Sequence, residues 1–360
     1  MTERLFLGRV RANSFPMAFL SRQNLLFRRF FSALAILWFV TGICSIADAQ
    51  PAGWDISKIE GRDYVSTESI KKFYNFTKVT RSGDSVVLEN AKIEMKLRIG
   101  AQECLMNNVK FVFTYSVEAQ GGKVFISRLD LTKLVDPVLR PNFIGNAGDF
   151  RTVILDPGHG GKDPGATNSL GTEAGYNLKV AGRVKTLLES QGFKVVLTRS
   201  SDRYLSLQER VEAANAVNES AIFISLHFNS GGRGARGIET FTLSPPGVAH
   251  YGRGVVAADS VSRAGNEHDS ANIALATAIH GSTLRRLGNN TLDRGIKRAR
   301  FSVLTGVHHP AILFEGGFMS HPYESRLINN EKYQNAIAMG VVDAVTKYRF
   351  AVGRGGKKSQ

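Results

Sequence analysis

From Arg151 onward, short apolar runs alternate with segments whose apolar residues recur at helical spacing, and this alternation limits the fold more than any other feature. Thr152–Leu155, Lys194–Thr198 and Ala221–Leu226 read as strands, the last of them buried because its apolar run is unbroken. Gly237–Thr242 reads as a strand of alternating character, and Ala311–Phe314 as a further apolar one. Leu178, Ala181, Val184 and Leu188 mark one face of a helix that Gly192 can terminate. Ser206 and Glu209 form a capping box ahead of a helix running through Val217. Ala271–Leu287 and Gln334–Tyr348 read as two more helices. The pattern predicts an α/β fold: a mostly parallel, twisted sheet with helices on both faces.

The preceding residues have another character. Tyr64-Val65-Ser66 leads into Ser69–Phe73, and Phe125-Ile126-Ser127 leads into Asp130–Leu134. Each predicts a short strand followed by an amphipathic helix, with further strands between them at Ser85–Leu88 and Phe111–Tyr115. Residues 50–140 are therefore expected to form a small α+β accessory domain. Residues 141–150 read as a linker, 151–348 as the main domain and 349–360 as a basic tail.

Residues 1–49 have the form of a secretory signal peptide. Arg22, Arg28 and Arg29 precede an apolar run from Phe30 to Ile43, and Ala47-Asp48-Ala49 fits a small-x-small cleavage site. Arg28-Arg29 also suits the twin-arginine route, and an uncleaved anchor is the alternative. In either case the domains that follow are expected to be exported, to the periplasm or cell envelope.

The formal net charge is +15, which favours an anionic partner. No nucleic-acid-binding signature accompanies it, which leaves acidic lipid or an acidic cell-wall polymer ahead of nucleic acid. Contact with the membrane is expected only through the targeting segment. Of the two cysteines, Cys104 alone lies beyond that segment. An intrachain disulfide and a Cys/Cys metal pair are thereby excluded, so a metal site must draw on His and carboxylates.

Four such groups fall at strand ends or at the start of a helix. Asp156-Pro157-Gly158-His159-Gly160-Gly161 follows the first strand, and Glu173 stands at the entrance to the next helix. His227 ends the third strand, and Glu315 ends the strand that begins at Ala311. Taken singly, each has an ordinary explanation. His159 would be a turn residue, His227 a core histidine satisfied by the backbone, Glu173 a helix-start acid and Glu315 the partner of a buried arginine. Open α/β sheets gather their ligands beyond the carboxyl ends of the strands, however, and all four belong to that edge. Two histidines and a carboxylate suit a catalytic zinc ion with one open position. The second carboxylate, Glu315, suits a general acid/base. His250, His268, His280, His308, His309 and His321 have no partner at comparable spacing.

The blocks around these residues resemble, in order, those of the zinc-dependent N-acetylmuramoyl-L-alanine amidases. They are Ile154–Ala166, Glu173 with Asn177-Leu178, Val195–Arg199, Leu207–Arg210, Ile224–Asn229, Asp293–Lys297, Phe301–Leu304 and Phe314–Ser320, over about residues 151–347. The resemblance implies one zinc ion on His159, Glu173 and His227, with Glu315 catalytic. The substrate would be the amide between N-acetylmuramic acid and L-alanine in peptidoglycan, with an envelope regulator protein as a further partner. Another zinc-dependent wall peptidase, or a non-catalytic wall-binding protein, is the alternative. Two positions depart from the family pattern: Phe228 stands where a small residue is usual, and Gly316 where an apolar one is usual. Phe228 would be expected to narrow the cleft or stack on substrate. Residues 50–140 resemble the copper amine oxidase N-terminal-like domain, without copper ligands, and Pro245–Asp269 is expected to be a surface loop or lid.

Overall fold

The computed structural model describes residues 53–353 apart from Asn146, so the expected signal peptide and residues 354–360 of the expected tail lie outside the described residues. Eleven strands form one sheet. Their order is Lys194–Leu197, Thr152–Pro157, Ala221–Asn229, Ala311–Phe318, Ile238–Leu243, Asp293–Ala299, Val109–Val112, Glu103–Met106, Glu94–Arg98, Ser85–Glu89 and Lys78–Ser82. The first four run parallel. Ile238–Leu243 is antiparallel to Ala311–Phe318 and parallel to Asp293–Ala299. The five strands from the N-terminal segment are antiparallel to one another. The α/β expectation holds, with parallel pairing concentrated in the half after residue 151.

Period-2 alternation sorts the apolar strand residues onto two faces. Val153, Leu155, Ile222, Ile224 and Phe314 join one core beneath helices Glu173–Ser190, Asp269–Leu287 and Glu331–Gly353. Ile154, Phe223, Phe241 and Leu313 join another, covered by Leu207–Asn215 and Ser302–Gly306. The capping box is present: Glu209 N–H donates to Ser206 Oγ (3.2 Å), and Ser206 N–H donates to Glu209 Oε2 (2.7 Å). Ile238–Leu243 departs from expectation, because every one of its residues is buried. Thr240 and Thr242 supply its polar half and are satisfied internally, by His280 Nδ1 at 3.0 Å and Arg298 Nη1 at 3.2 Å.

In the N-terminal segment the two similar stretches are adjacent antiparallel strands, with Tyr64 opposite Ser127 and Ser66 opposite Phe125. Ser66 and Ser127 each cap the helix that follows, by accepting from Ser69 N–H and Asp130 N–H. They belong to a separate four-stranded sheet.

The large sheet passes from this segment into the later half through the Ile296–Phe111 bridge. Asp293 locks the join: it accepts from Lys110 N–H (2.8 Å) and lies 2.9 Å from the buried His280 Nε2. Arg298 adds a second lock, donating to Asp269 Oδ1 and to the Lys133 carbonyl, both at 2.6 Å. One continuous core runs from Val65 to Val352. In the stretch expected as a linker, Ala147 and Phe150 are buried, and the Phe150 ring packs against Phe193 and Tyr348. The two expected domains thus lie within one compact unit.

Candidate metal centre

His159 sits two residues past the end of its strand, in a loop where it takes a left-handed backbone (φ +60°). A non-glycine residue in that region is strained, so surrounding bonds must hold it there. Two buried arginines do this. Arg199 donates to the carbonyls of Pro157 and Gly158 (both 2.8 Å) and of Ala174 (2.9 Å). Arg210 donates to the carbonyls of Pro157 (2.9 Å) and His159 (2.7 Å). Beneath them Asp156, fully buried, accepts from Arg210 (2.7 Å), Thr198 (2.6 Å) and Ser225 (2.9 Å). The sequence places Arg199 and Arg210 in two of the blocks that resemble the family and assigns neither a role, so this scaffold was missed. We expect Asp156→Ala to cost about 3 kcal/mol or more, by stranding a buried cation. Urea unfolding measures it, and a loss below about 1 kcal/mol, the worth of an exposed pair, would refute the role.

Glu173 opens its helix, with Thr172 as cap. Its Oε1 lies 2.8 Å from His227 Nδ1 and 3.2 Å from His159 Nε2. Its Oε2 accepts from Ala166 N–H at 3.0 Å. Burial alone would raise the Glu173 pKa, but the hydrogen bonds to the two histidines outweigh it and hold the carboxyl well below the usual range. His159 is raised in turn, by Glu173 first, against burial, with help from Asp163. Asp163 Oδ2 lies 2.8 Å from His159 Nδ1 and so leaves Nε2 to face the cluster.

The donor atoms of His159, Glu173 and His227 lie within 4.8 Å of one another, the only such group of three among the described residues. The glycines around them are needed for that approach. A Cβ on Gly158 would stand 2.1 Å from His227 Cε1, and one on Gly165 would stand 2.6 Å from Glu173 Oε2. Two imidazoles, one carboxylate and an orienting aspartate fit a zinc ion.

Glu315 completes the cluster through strand register. It pairs with His227 on one side and with Glu239 on the other, so the three share a face of the sheet. Its Oε2 is buried without a hydrogen-bond partner among the described residues. Burial first, then the charges of Glu173 and Glu239, push its pKa well above the ordinary value. The sequence left open a buried arginine as its partner. Instead Arg294 and Lys297 pair with Glu239, whose Oε1 also accepts from Asn229 (2.6 Å). His159, His227 and Glu315 line a cleft of about 370 Å³ together with Asp163, Tyr204, Leu207, Phe301 and Val303.

Phe228 corrects an expectation. It is buried (2% exposed) and does not line the cleft, so it neither narrows it nor stacks on substrate. A Cβ on Gly316 would meet the Phe228 ring at 2.8 Å. The two departures from the family pattern are therefore one exchange of volume, a ring at 228 for a side chain at 316. The remaining histidines stay outside the cluster: His280 bonds Asp293, His250 accepts from Arg300 N–H, and His321 caps a helix. Pro245–Asp269 is a largely exposed excursion, pinned by the Arg253–Asp259 fork and by Arg300, which donates to the Pro245 and Val248 carbonyls.

The family model described as N-acetylmuramoyl-L-alanine amidase matches residues 153–347. The uncharacterized protein YqiI of Bacillus subtilis is 32% identical over 199 residues, 55% of this chain and 84% of that protein. The probable cell wall amidase LytH of Staphylococcus epidermidis is 29% identical over 202 residues, 55% of this chain and 58% of its own length. The N-acetylmuramoyl-L-alanine amidase AmiC of Escherichia coli is 31% identical over 248 residues, 62% of this chain and 59% of its own length. The chain thus spans little more than half of the two named amidases. The matched span contains the whole His159–Glu173–His227–Glu315 cluster, and the chain belongs to the N-acetylmuramoyl-L-alanine amidase family.

Proposed function

We propose that this protein hydrolyses the amide between N-acetylmuramic acid and L-alanine in peptidoglycan, with one zinc ion held by His159, Glu173 and His227. The observation that carries the proposal is the register pairing of Glu315 with His227, which sets a buried carboxyl with an unpartnered oxygen beside His227 in a cleft that His159 also lines. When bound, zinc supplies Lewis acidity toward water and toward the scissile carbonyl. Asp163 holds the His159 ring so that Nε2 faces the ion. Glu315 takes a proton from the attacking water and delivers it to the departing nitrogen of L-alanine. In the metal-free protein burial raises the Glu315 pKa, which strengthens its carboxylate as a base toward that water.

The proposal includes export to the periplasm or cell envelope. LytH is named for a cell wall activity, and no described helix is long and apolar enough to cross a membrane. It also includes an envelope regulator as partner, and residues 50–140 as a spacer or binding module related to the copper amine oxidase N-terminal-like domain.

Purified protein added to sacculi should release stem peptides with new amino termini on L-alanine. A chelator should stop the release and added zinc should restore it. New reducing sugar ends, or cleavage within the peptide, would overturn the assignment.

A further inference from the structure

Two chain segments contribute to the wall of the cleft that His159 and His227 line: Tyr204 to Leu207, and Arg300 to Val303. They differ in what charge they can offer a substrate. The Arg300 guanidinium is consumed: Nη2 donates to the carbonyls of Pro245 (2.8 Å) and Val248 (3.1 Å), and Nε meets Asp259 Oδ1 at 2.9 Å. Arg210 is equally committed, to Asp156 and to two carbonyls of the His159 loop. Lys162 is exposed, and its ammonium makes no hydrogen bond or ion pair among the described residues. Its Nζ stands 4.4 Å from the centroid of the Tyr204 ring. The neighbouring carboxylates are occupied: Asp163 by His159 and Gly165 N–H, Asp202 by Gly161 N–H.

The Tyr204 ring is held in place although 42% of it is exposed. A Cβ on Gly160 would lie 2.2 Å from the Arg203 carbonyl, and one on Gly161 would lie 2.7 Å from Tyr204 N. The glycine pair after His159 therefore lets the 201–205 segment pack directly on the metal loop. This seats the Tyr204 backbone on that loop. Tyr204 lines the cleft, and Lys162, outside the lining, reaches its edge by standing over the Tyr204 ring.

Resting on the amidase assignment, we infer that Lys162 and Tyr204 form a subsite for the stem peptide of the substrate. Tyr204 packs against the peptide's aliphatic part, and Lys162 meets the carboxylate of the residue after L-alanine. The substrate would then lie with its peptide along the Tyr204 wall and its sugar toward Phe301. Cation and ring act together, because the ammonium is kept near the cleft by attraction to the aromatic face.

The test uses two soluble muramoyl peptides, one with that carboxylate free and one with it amidated, assayed for kcat and KM. Lys162→Ala should raise KM about three- to fivefold on the acidic peptide, the worth of an exposed charge contact, with kcat little changed. It should leave the amidated peptide unaffected, and Lys162→Arg should restore the acidic preference. Tyr204→Ala should raise KM on both peptides, by about five- to tenfold. An equal effect of Lys162→Ala on both peptides, or none on either, would overturn the subsite. Wild-type protein inactive on both peptides would instead remove the amidase assignment on which the subsite rests.

Discussion

Glu315→Gln should lower kcat by about 10²- to 10⁴-fold while the protein still binds zinc at one ion per chain. The variant keeps the shape of the side chain and removes its ability to exchange a proton. Zinc binding should survive, because the three proposed donors are His159, Glu173 and His227, and Glu315 hydrogen-bonds to none of them among the described residues. Metal content and single-turnover hydrolysis measured on one preparation separate the two effects. Loss of zinc together with activity would make Glu315 a ligand, and retained activity would remove its assigned role.

The same substitution has a consequence for stability. Burial raises the Glu315 pKa in the folded, metal-free protein, so between its unfolded and folded values the native state holds a proton that the unfolded chain has released. Stability then falls as pH rises through that window. Metal-stripped Glu315→Gln should therefore melt above metal-stripped wild type at neutral pH and lose the advantage in acid. A protein keeps such a carboxyl at a cost to its fold, which is expected of a group retained for chemistry.

Deletion of residues 53–140 should leave the remainder insoluble or without a cooperative unfolding transition. The match to the amidase family begins at residue 153, which invites that truncation. The contacts argue against it. Phe111, fully buried, pairs with Ile296, and Val109 packs against Gly281 of the central helix. Removing the segment takes Lys110 N–H from Asp293 and the Lys133 carbonyl from Arg298. It also uncovers the strand Asp293–Ala299, most of whose residues are buried. A strand edge uncovered in this way presents unpaired N–H and C=O groups to other chains. The intact protein should unfold in a single transition by calorimetry and by circular dichroism alike. Two separable transitions, or a soluble and cooperative fragment, would show the N-terminal segment to be independent.

The candidate site was legible because three of its residues follow apolar runs, although the strands continue past two of them, to Asn229 and to Phe318. His159, His227 and Glu315 each follow such a run, and Glu173 follows a helix cap. The scaffold behind them was not legible. Arg199 and Arg210 lie in polar stretches that look solvated, and only the third dimension turns them onto the carbonyls of the His159 loop. Lys297 and Glu239 were hidden for a similar reason: each is a charged residue in a strand, and burial is tolerable only because they meet. The join between the two halves of the sheet is one bridge between residues 111 and 296, and no local pattern encodes a pairing across that separation. Phe228 and Gly316 each looked anomalous alone and make sense only as neighbours.

The register that sets His227 beside Glu315, and Glu315 beside Glu239, acts as a ruler. Neighbouring strands stand about 4.8 Å apart whatever their loops do, so the span from metal ligand to proton carrier is a lattice constant of the sheet. The walls of the cleft, by contrast, come from connecting segments such as 201–205 and the turn after Ala299. Selection or design can therefore redraw which bond is presented by altering those segments. The backbone spacing of His227 from Glu315 stays engraved in the hydrogen-bond ladder.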